Sequence, residues 1–183
     1  MKKIKNQFLI SMPKMSDSIF EKSIIYICEE HTDGYMGIII NKPISNKNKN
    51  EILNELGTSK INNISNIYFG GPVKINRGIV LHTNSYKTKG TIEISTNISL
   101  TSNGKIINDI ETGKGPKKYI FVVGYSGWSH GQLEQEIENG DWLLSNLNEK
   151  YIFQKNDEKK WENAFTDLGL EIKMFAGGNS GIS

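Results

Sequence analysis

The stretch Tyr119-Ile-Phe-Val-Val-Gly-Tyr-Ser-Gly-Trp-Ser-His-Gly-Gln-Leu-Glu-Gln-Glu-Ile-Glu-Asn-Gly-Asp-Trp142 decides how the chain is built. Its first five residues are apolar or aromatic, as in a buried strand. Gly124 and Gly127 then mark backbone that needs positive φ or close approach. Leu133 and Ile137 follow at helical spacing, and Asn139-Gly140 closes that pattern. Ser129-His-Gly-Gln132 reads as a capping box, with Ser129 as N-cap. Glu134, Glu136 and Glu138 fall away from the apolar stripe and read as solvated. Trp128 and Trp142 bracket the helix and pack it onto a sheet. Strand, glycine turn and helix in succession make an α+β class protein.

The same stretch raises a catalytic question. A nucleophile elbow has the form Gly-x-Ser-x-Gly, with small residues where the turn is strained. Here the pattern is Gly124-Tyr-Ser-Gly-Trp128, and an indole stands at the last position. Ser126 is therefore a weak nucleophile candidate.

Outward from this stretch, strands and helices alternate. Ser23 to Glu30 is apolar on both parities, Ile25 and Ile27 on one face and Ile24, Tyr26 and Cys28 on the other. A strand covered on both sides has this pattern. His31-Thr-Asp-Gly34 joins it to a second strand at Tyr35–Ile40, a hairpin signal. Ser45 to Asn50 has no apolar residue and reads as a flexible, solvated loop. Ile52, Leu53 and Leu56 have helical spacing closed by Gly57. Strands are expected at Ile67–Phe69, Gly78–His82 and Thr91–Ile94. A helix is expected from about Asn103 to Thr112. Tyr151-Ile-Phe153 reads as a last strand. Asp157 reads as the cap of a helix whose apolar face is Trp161, Ala164, Phe165 and Leu168, stopped by Gly169. A tail from about residue 176 is read as loose. The 183 residues form a single domain spanning 1–183.

Composition narrows the function. The net charge of +2 is too small to point to nucleic acid. Lysine is over-used throughout, so a run such as Lys159-Lys160 carries little weight, whereas Arg77 is the only arginine and marks a place for a planar donor. Cys28 stands alone and sits mid-strand, which predicts an inert thiol. No signal-peptide core or membrane span is present, so a cytoplasmic protein is expected. His31, His82 and His130 lack metal-ligand spacing. Gly70-Gly-Pro-Val73 after a strand presents backbone N–H groups beside Arg77, an anion cradle or a plain tight turn, but it lacks the lysine and hydroxyl of a P-loop. No cofactor or metal is expected. His82 satisfies a buried carbonyl or binds; Arg77 and His82 differ in strand parity and face opposite sides of an unbulged sheet. Asn41 organises its loop or binds.

Several segments together carry a resemblance. Phe20-Glu-Lys-Ser-Ile-Ile-Tyr-Ile27, Gly37-Ile-Ile-Ile-Asn-Lys-Pro43, Phe69-Gly-Gly-Pro-Val73 with Arg77 and Val80-Leu-His82, and Gly124-Tyr-Ser-Gly-Trp128 occur in one order. As a set they resemble the AlgH/YqgE family of bacterial proteins, from about Phe8 to about Leu170. The resemblance implies one compact domain with a bent, partly barrel-like mixed sheet flanked by helices. It also brings a transcriptional-regulator label, although no helix-turn-helix or basic recognition helix is found. His130 and the final Met174-Phe-Ala-Gly-Gly178 depart from the family pattern. The expected function is a non-catalytic binding or regulatory protein, contacting a protein or small anionic ligand through Gly70, Gly71, Arg77 and Gly124–Trp128, with Asn41 and His82 as further candidates. One alternative is a small hydrolase using Ser126 or a histidine. Another is weak nucleic-acid binding through Lys42, Lys47 and Lys49.

Overall fold

The computed structural model describes residues 3–57, 64, 66–154 and 156–175. The tail expected to be loose from about 176 lies outside the described residues. Among the described residues, nine strands form one curled mixed sheet with helices against it, so the α+β expectation holds. Strand β1 (Phe8–Ser11) pairs with β2 (Ile24–His31) and with β9 (Trp142–Ser145). Strand β2 pairs with β3 (Gly34–Ile39) through the hairpin foreseen at His31–Gly34. Strand β3 pairs with the second half of β8 (Tyr119–Ser129). The first half of β8 pairs with β5 (Val73–Thr83), and β5 continues to β7 (Ile98–Thr101) and β6 (Ile92–Glu93). Short β4 (Ile67–Phe69) runs parallel to β8, the one parallel pairing in this sheet among the described residues.

The two parities of β2 go where their pattern places them. Ile24, Tyr26 and Cys28 join a core shared with α4 (Lys150–Phe153) and α5 (Asp157–Asp167). Ile25 and Ile27 join a second core with Trp128, Trp142 and Leu133 of α3 (Gln132–Glu138). A third core packs α1 (Asn46–Glu55) and α2 (Gly104–Glu111) onto Val80, Phe121 and Val123. Covering both faces of one sheet in this way makes its strands apolar on both sides.

Four local expectations are corrected. Ser45–Asn50 is not a loop, because α1 begins at Asn46; its polar residues form the first turns, and Ile52 and Leu53 anchor it. Tyr151–Phe153 is helical, with Tyr151 and Ile152 buried; a three-residue apolar run suits either state, and its packing against α5 decides. Ser129 is the last residue of β8, and the N-cap of α3 is Gly131, left-handed at φ 77. Only the glutamine half of the capping box forms: the Ser129 N–H and Oγ both reach Gln132 Oε1, at 3.1 and 3.2 Å. Asp157 lies inside the first turn of α5, buried, with Asn156 at the cap.

Candidate functional site

Two of the family-like segments, Phe69–Val73 and Gly124–Trp128, meet where the chain crosses a strand. Strand β4 lies on the β3 side of β8, and β5 lies on its other side. The chain passes between them in three residues, Gly70-Gly-Pro72, over β8 at Gly124 and Tyr125. The Gly70 N–H donates to the Val123 carbonyl (2.9 Å), and its carbonyl accepts from the Ile39 N–H (2.9 Å). The backbones are in contact throughout. A Cβ on Gly71 would sit 2.3 Å from Tyr125 C, one on Gly70 2.4 Å from the Gly124 carbonyl oxygen, and one on Gly124 2.3 Å from the Gly71 carbonyl oxygen. Gly71 and Gly124 also have φ of 148° and 72°, a region that L side chains avoid. These three glycines are a steric requirement of the crossing.

Beyond the crossing, Tyr125 to Ser129 alternates outward and inward, as a strand does. Ser126 points inward, fully buried, and its Oγ donates to the Gly70 carbonyl at 3.3 Å. None of the three histidines is bonded to it: His31 is at the exposed hairpin end, 2.7 Å from Glu29, His82 is inside the sheet, and His130 is exposed after β8. A serine nucleophile needs a base at hydrogen-bond distance, and the geometry provides Ser126 with a carbonyl instead. Trp128 also points inward. Its Nε1 and that of Trp142 both donate to Glu136 Oε2, each at 2.8 Å, with the two rings nearly perpendicular at 85°. Tyr35 Oη donates to Glu134 Oε1 at 2.5 Å. Glu134 and Glu136 are thus tied to the sheet, contrary to the reading of both as solvated.

Gly127 behaves differently from the other motif glycines. It is exposed, its φ is ordinary, and a Cβ there would meet nothing closer than 3.7 Å. The expected backbone requirement is absent. Gly127 lies in a shallow concavity of about 400 Å³ with Tyr35, Met36, Val73, Tyr125 and Trp128.

The remaining sequence candidates lie elsewhere. Between Val73↔Tyr125 and Gly78↔Val123, residues 74–77 bulge opposite Gly124. This bulge carries Arg77 away from the crossing, exposed, with its Nη2 donating to Ser102 Oγ at 2.7 Å. Gly70 and Gly71 are buried, so the structure does not join their N–H groups and Arg77 into one cradle. Asn41 organises its loop: its Oδ1 accepts from the Ile24 N–H (2.8 Å) and its Nδ2 donates to the Lys22 carbonyl (2.9 Å).

His82 is fully buried. Its Nδ1 lies 2.9 Å from the Thr83 carbonyl, which can only accept, so Nδ1 carries the proton and Nε2 accepts from Thr101 Oγ1 at 2.9 Å. Burial pulls its pKa below the ordinary histidine value, against a smaller opposing effect of the Thr83 carbonyl. The unfolded chain then binds a proton that the native state refuses. Stability from this site is complete above the ordinary histidine pKa and is lost as pH falls through it towards the depressed native value. The urea midpoint of the wild type is expected to drop between pH 7.5 and 5.5. His82→Gln should flatten that slope while lowering the midpoint at pH 7.5; an unchanged slope would assign the pH dependence to other groups.

Sequence reasoning passed over one cluster. Asp157 and Lys160 fall on the stripe of Trp161, Ala164 and Phe165, and both are buried with it. Lys160 Nζ is 3.0 Å from Asp157 Oδ1 and donates to the Ile40 carbonyl at 3.1 Å; Tyr68 Oη donates to Asp157 Oδ2 at 3.0 Å. Burial lowers the Lys160 pKa, and Asp157 opposes the shift. The signal was available: i, i+3 charges within an apolar stripe.

Among the described residues no group of three or more His, Cys, Asp or Glu is placed to hold a metal ion, and no helix is long and apolar enough to cross a membrane. Fold and site together define an α+β protein with cores on both faces of one curled sheet and two of its marker segments, Phe69–Val73 and Gly124–Trp128, in contact at a strand crossing. The chain belongs to the AlgH-like family, whose model matches residues 8–173. A UPF0301 protein of Pseudoalteromonas translucida is 38% identical over 180 residues, covering 96% of this chain and 97% of the relative. One from Methylococcus capsulatus is 37% identical, covering 91% and 92%. The solution structure of the AlgH protein from Pseudomonas aeruginosa superposes with a TM-score of 0.79 at 30% identity, over 100% of both chains. A Corynebacterium diphtheriae protein of 17% identity shares the fold, with a TM-score of 0.76 over 97% and 94%.

Proposed function

We propose that this chain is a non-catalytic binding protein of the cytoplasm, with a regulatory role in keeping with the label its family carries, and that it contacts a protein partner at the concavity around Gly127. The observation that carries this reading is the bare backbone at Gly127. Folding does not require glycine there, yet it leaves an open floor between Tyr125 and the hairpin. A partner's apolar or aromatic side chain fits over such a floor, flanked by rings. Gly127→Val should leave stability within about 0.5 kcal/mol, because the site is an exposed strand position. It should also abolish adducts formed in cells by a photo-crosslinking residue at Tyr125. Undiminished, identical adducts in the Gly127→Val background would sink the proposal.

The hydrolase alternative has its own test. A fluorophosphonate probe is expected to leave Ser126 unlabelled in the native protein, since its hydroxyl is buried and bonds the Gly70 carbonyl, with no base bonded to it among the described residues. Stoichiometric labelling at Ser126 would overturn the non-catalytic reading.

A further inference from the structure

A second cavity, of about 550 Å³, shares no lining residue with the concavity at Gly127. It opens between the start of β8, the approach to β4 and helix α4. That volume lies within the range of small-molecule sites. Lysine is common in this chain, so Lys117, Lys118 and Lys150 on its rim would carry little weight alone. Their surroundings give them weight. No aspartate or glutamate is found among the described residues lining the cavity. None of the three forms an ion pair among the described residues; Lys150 Nζ has the Tyr151 ring at 6.0 Å. Lysines elsewhere do find carboxylates, Lys160 with Asp157 in the interior and Lys105 with Asp109 nearer the surface.

The walls supply the other half of a recognition site. Tyr119 and Phe153 are half-buried and Phe121 is buried; Tyr119 and Phe121 pack with the core on one face of the sheet and Phe153 with the core on the other, so aromatic residues line the opening from both sides of β8. Asn66 and Gln154 add side-chain amides, each both donor and acceptor. Ammonium groups bind phosphate as point charges, aromatic faces stack a planar ring, and amides read its polar edge.

We infer that this cavity binds a phosphorylated aromatic heterocycle, the nucleotide class, with the phosphate at Lys117, Lys118 and Lys150 and the ring against Tyr119 and Phe153. The site is independent of the proposed protein contact.

Isothermal titration of the full chain with ADP, GDP, UDP, adenosine and inorganic phosphate tests it. At least one nucleotide should bind more tightly than both phosphate and adenosine, by about tenfold or more. Amide shifts on binding should centre on residues 66–68, 117–121 and 150–154. Lys117→Met/Lys150→Met should weaken that nucleotide by about tenfold or more, and Phe153→Ala should bring its affinity down towards that of phosphate. Both substitutions alter exposed or half-buried positions, and unchanged circular dichroism will show that the variants fold. Gly127→Val should leave nucleotide affinity unchanged, which separates this site from the protein contact. The inference is overturned if no nucleotide binds at millimolar concentration. It is also overturned if phosphate alone matches the nucleotides, or if only single-stranded RNA binds, with affinity falling steeply with salt.

Discussion

Gly71→Ala is expected to yield little or no folded protein. Two costs coincide at this residue. Its φ of 148° is one an alanine adopts only under strain. Its Cβ would also lie 2.3–2.4 Å from Tyr125 C and O and Ser126 N, and these are backbone atoms of a central strand that have nowhere to move. Separating them would open the pairing of β8 with β4 and β5 together. A loss of more than about 4 kcal/mol follows, a size reserved for disrupted cores and strained backbones. Gly131→Ala is the control. That residue also has positive φ, 77°, but nothing lies within 4 Å of its Cβ, so about 1–2 kcal/mol is expected. Thermal unfolding of the two variants separates backbone conformation from close approach. Equal, small losses for both would mean that the crossing is not packed as described.

Asp157→Asn is expected to cost about 3–5 kcal/mol, because it leaves the Lys160 ammonium buried without its counter-charge. The asparagine keeps an acceptor for Tyr68 Oη, so the loss reports charge more than hydrogen bonding. Lys160→Met alone should cost a similar amount by stranding the carboxylate. The double variant should lose less than the sum by at least about 1 kcal/mol, since no unpaired charge then remains. Burial already lowers the Lys160 pKa in the wild type, and loss of Asp157 lowers it further. A lysine with a depressed native pKa contributes stability that is lost as pH falls below its unfolded value. The deficit of Asp157→Asn should therefore shrink as pH is raised towards the ordinary lysine range. Additive losses in urea titrations, with no pH trend, would contradict a coupled buried pair.

Much of the sheet was legible because its signals are local. The two parities of β2 name its two cores, Asp33-Gly34 marks the hairpin, and the helix expected from about Asn103 to Thr112 is α2, Gly104–Glu111. Misreadings occurred where a short run has no decisive local preference. Tyr151-Ile-Phe153 suits strand or helix, and only contact with α5 selects the helix. Ser129-x-x-Gln132 suits a capping box, but strand pairing of Ser129 with Gly34 takes the serine first.

The candidate site was legible as a set of residues and not as an arrangement. Gly70, Gly71 and Gly124 stand out in the sequence as glycines. That they touch across β8, and that Gly127 is free of any such contact, depends on strands far apart in the chain. The bulge at 74–77 likewise moves Arg77 out of a register that parity assumed.

The sequence by itself determined the family, the α+β class and most apolar faces, because periodicity and turn chemistry act over a few neighbouring residues. Only the tertiary structure decided which glycines meet across the crossing, that Ser126 is buried on the Gly70 carbonyl, and which charges are paired or left facing a cavity. Those properties come from close approach and burial between distant segments, and a linear pattern carries no record of either.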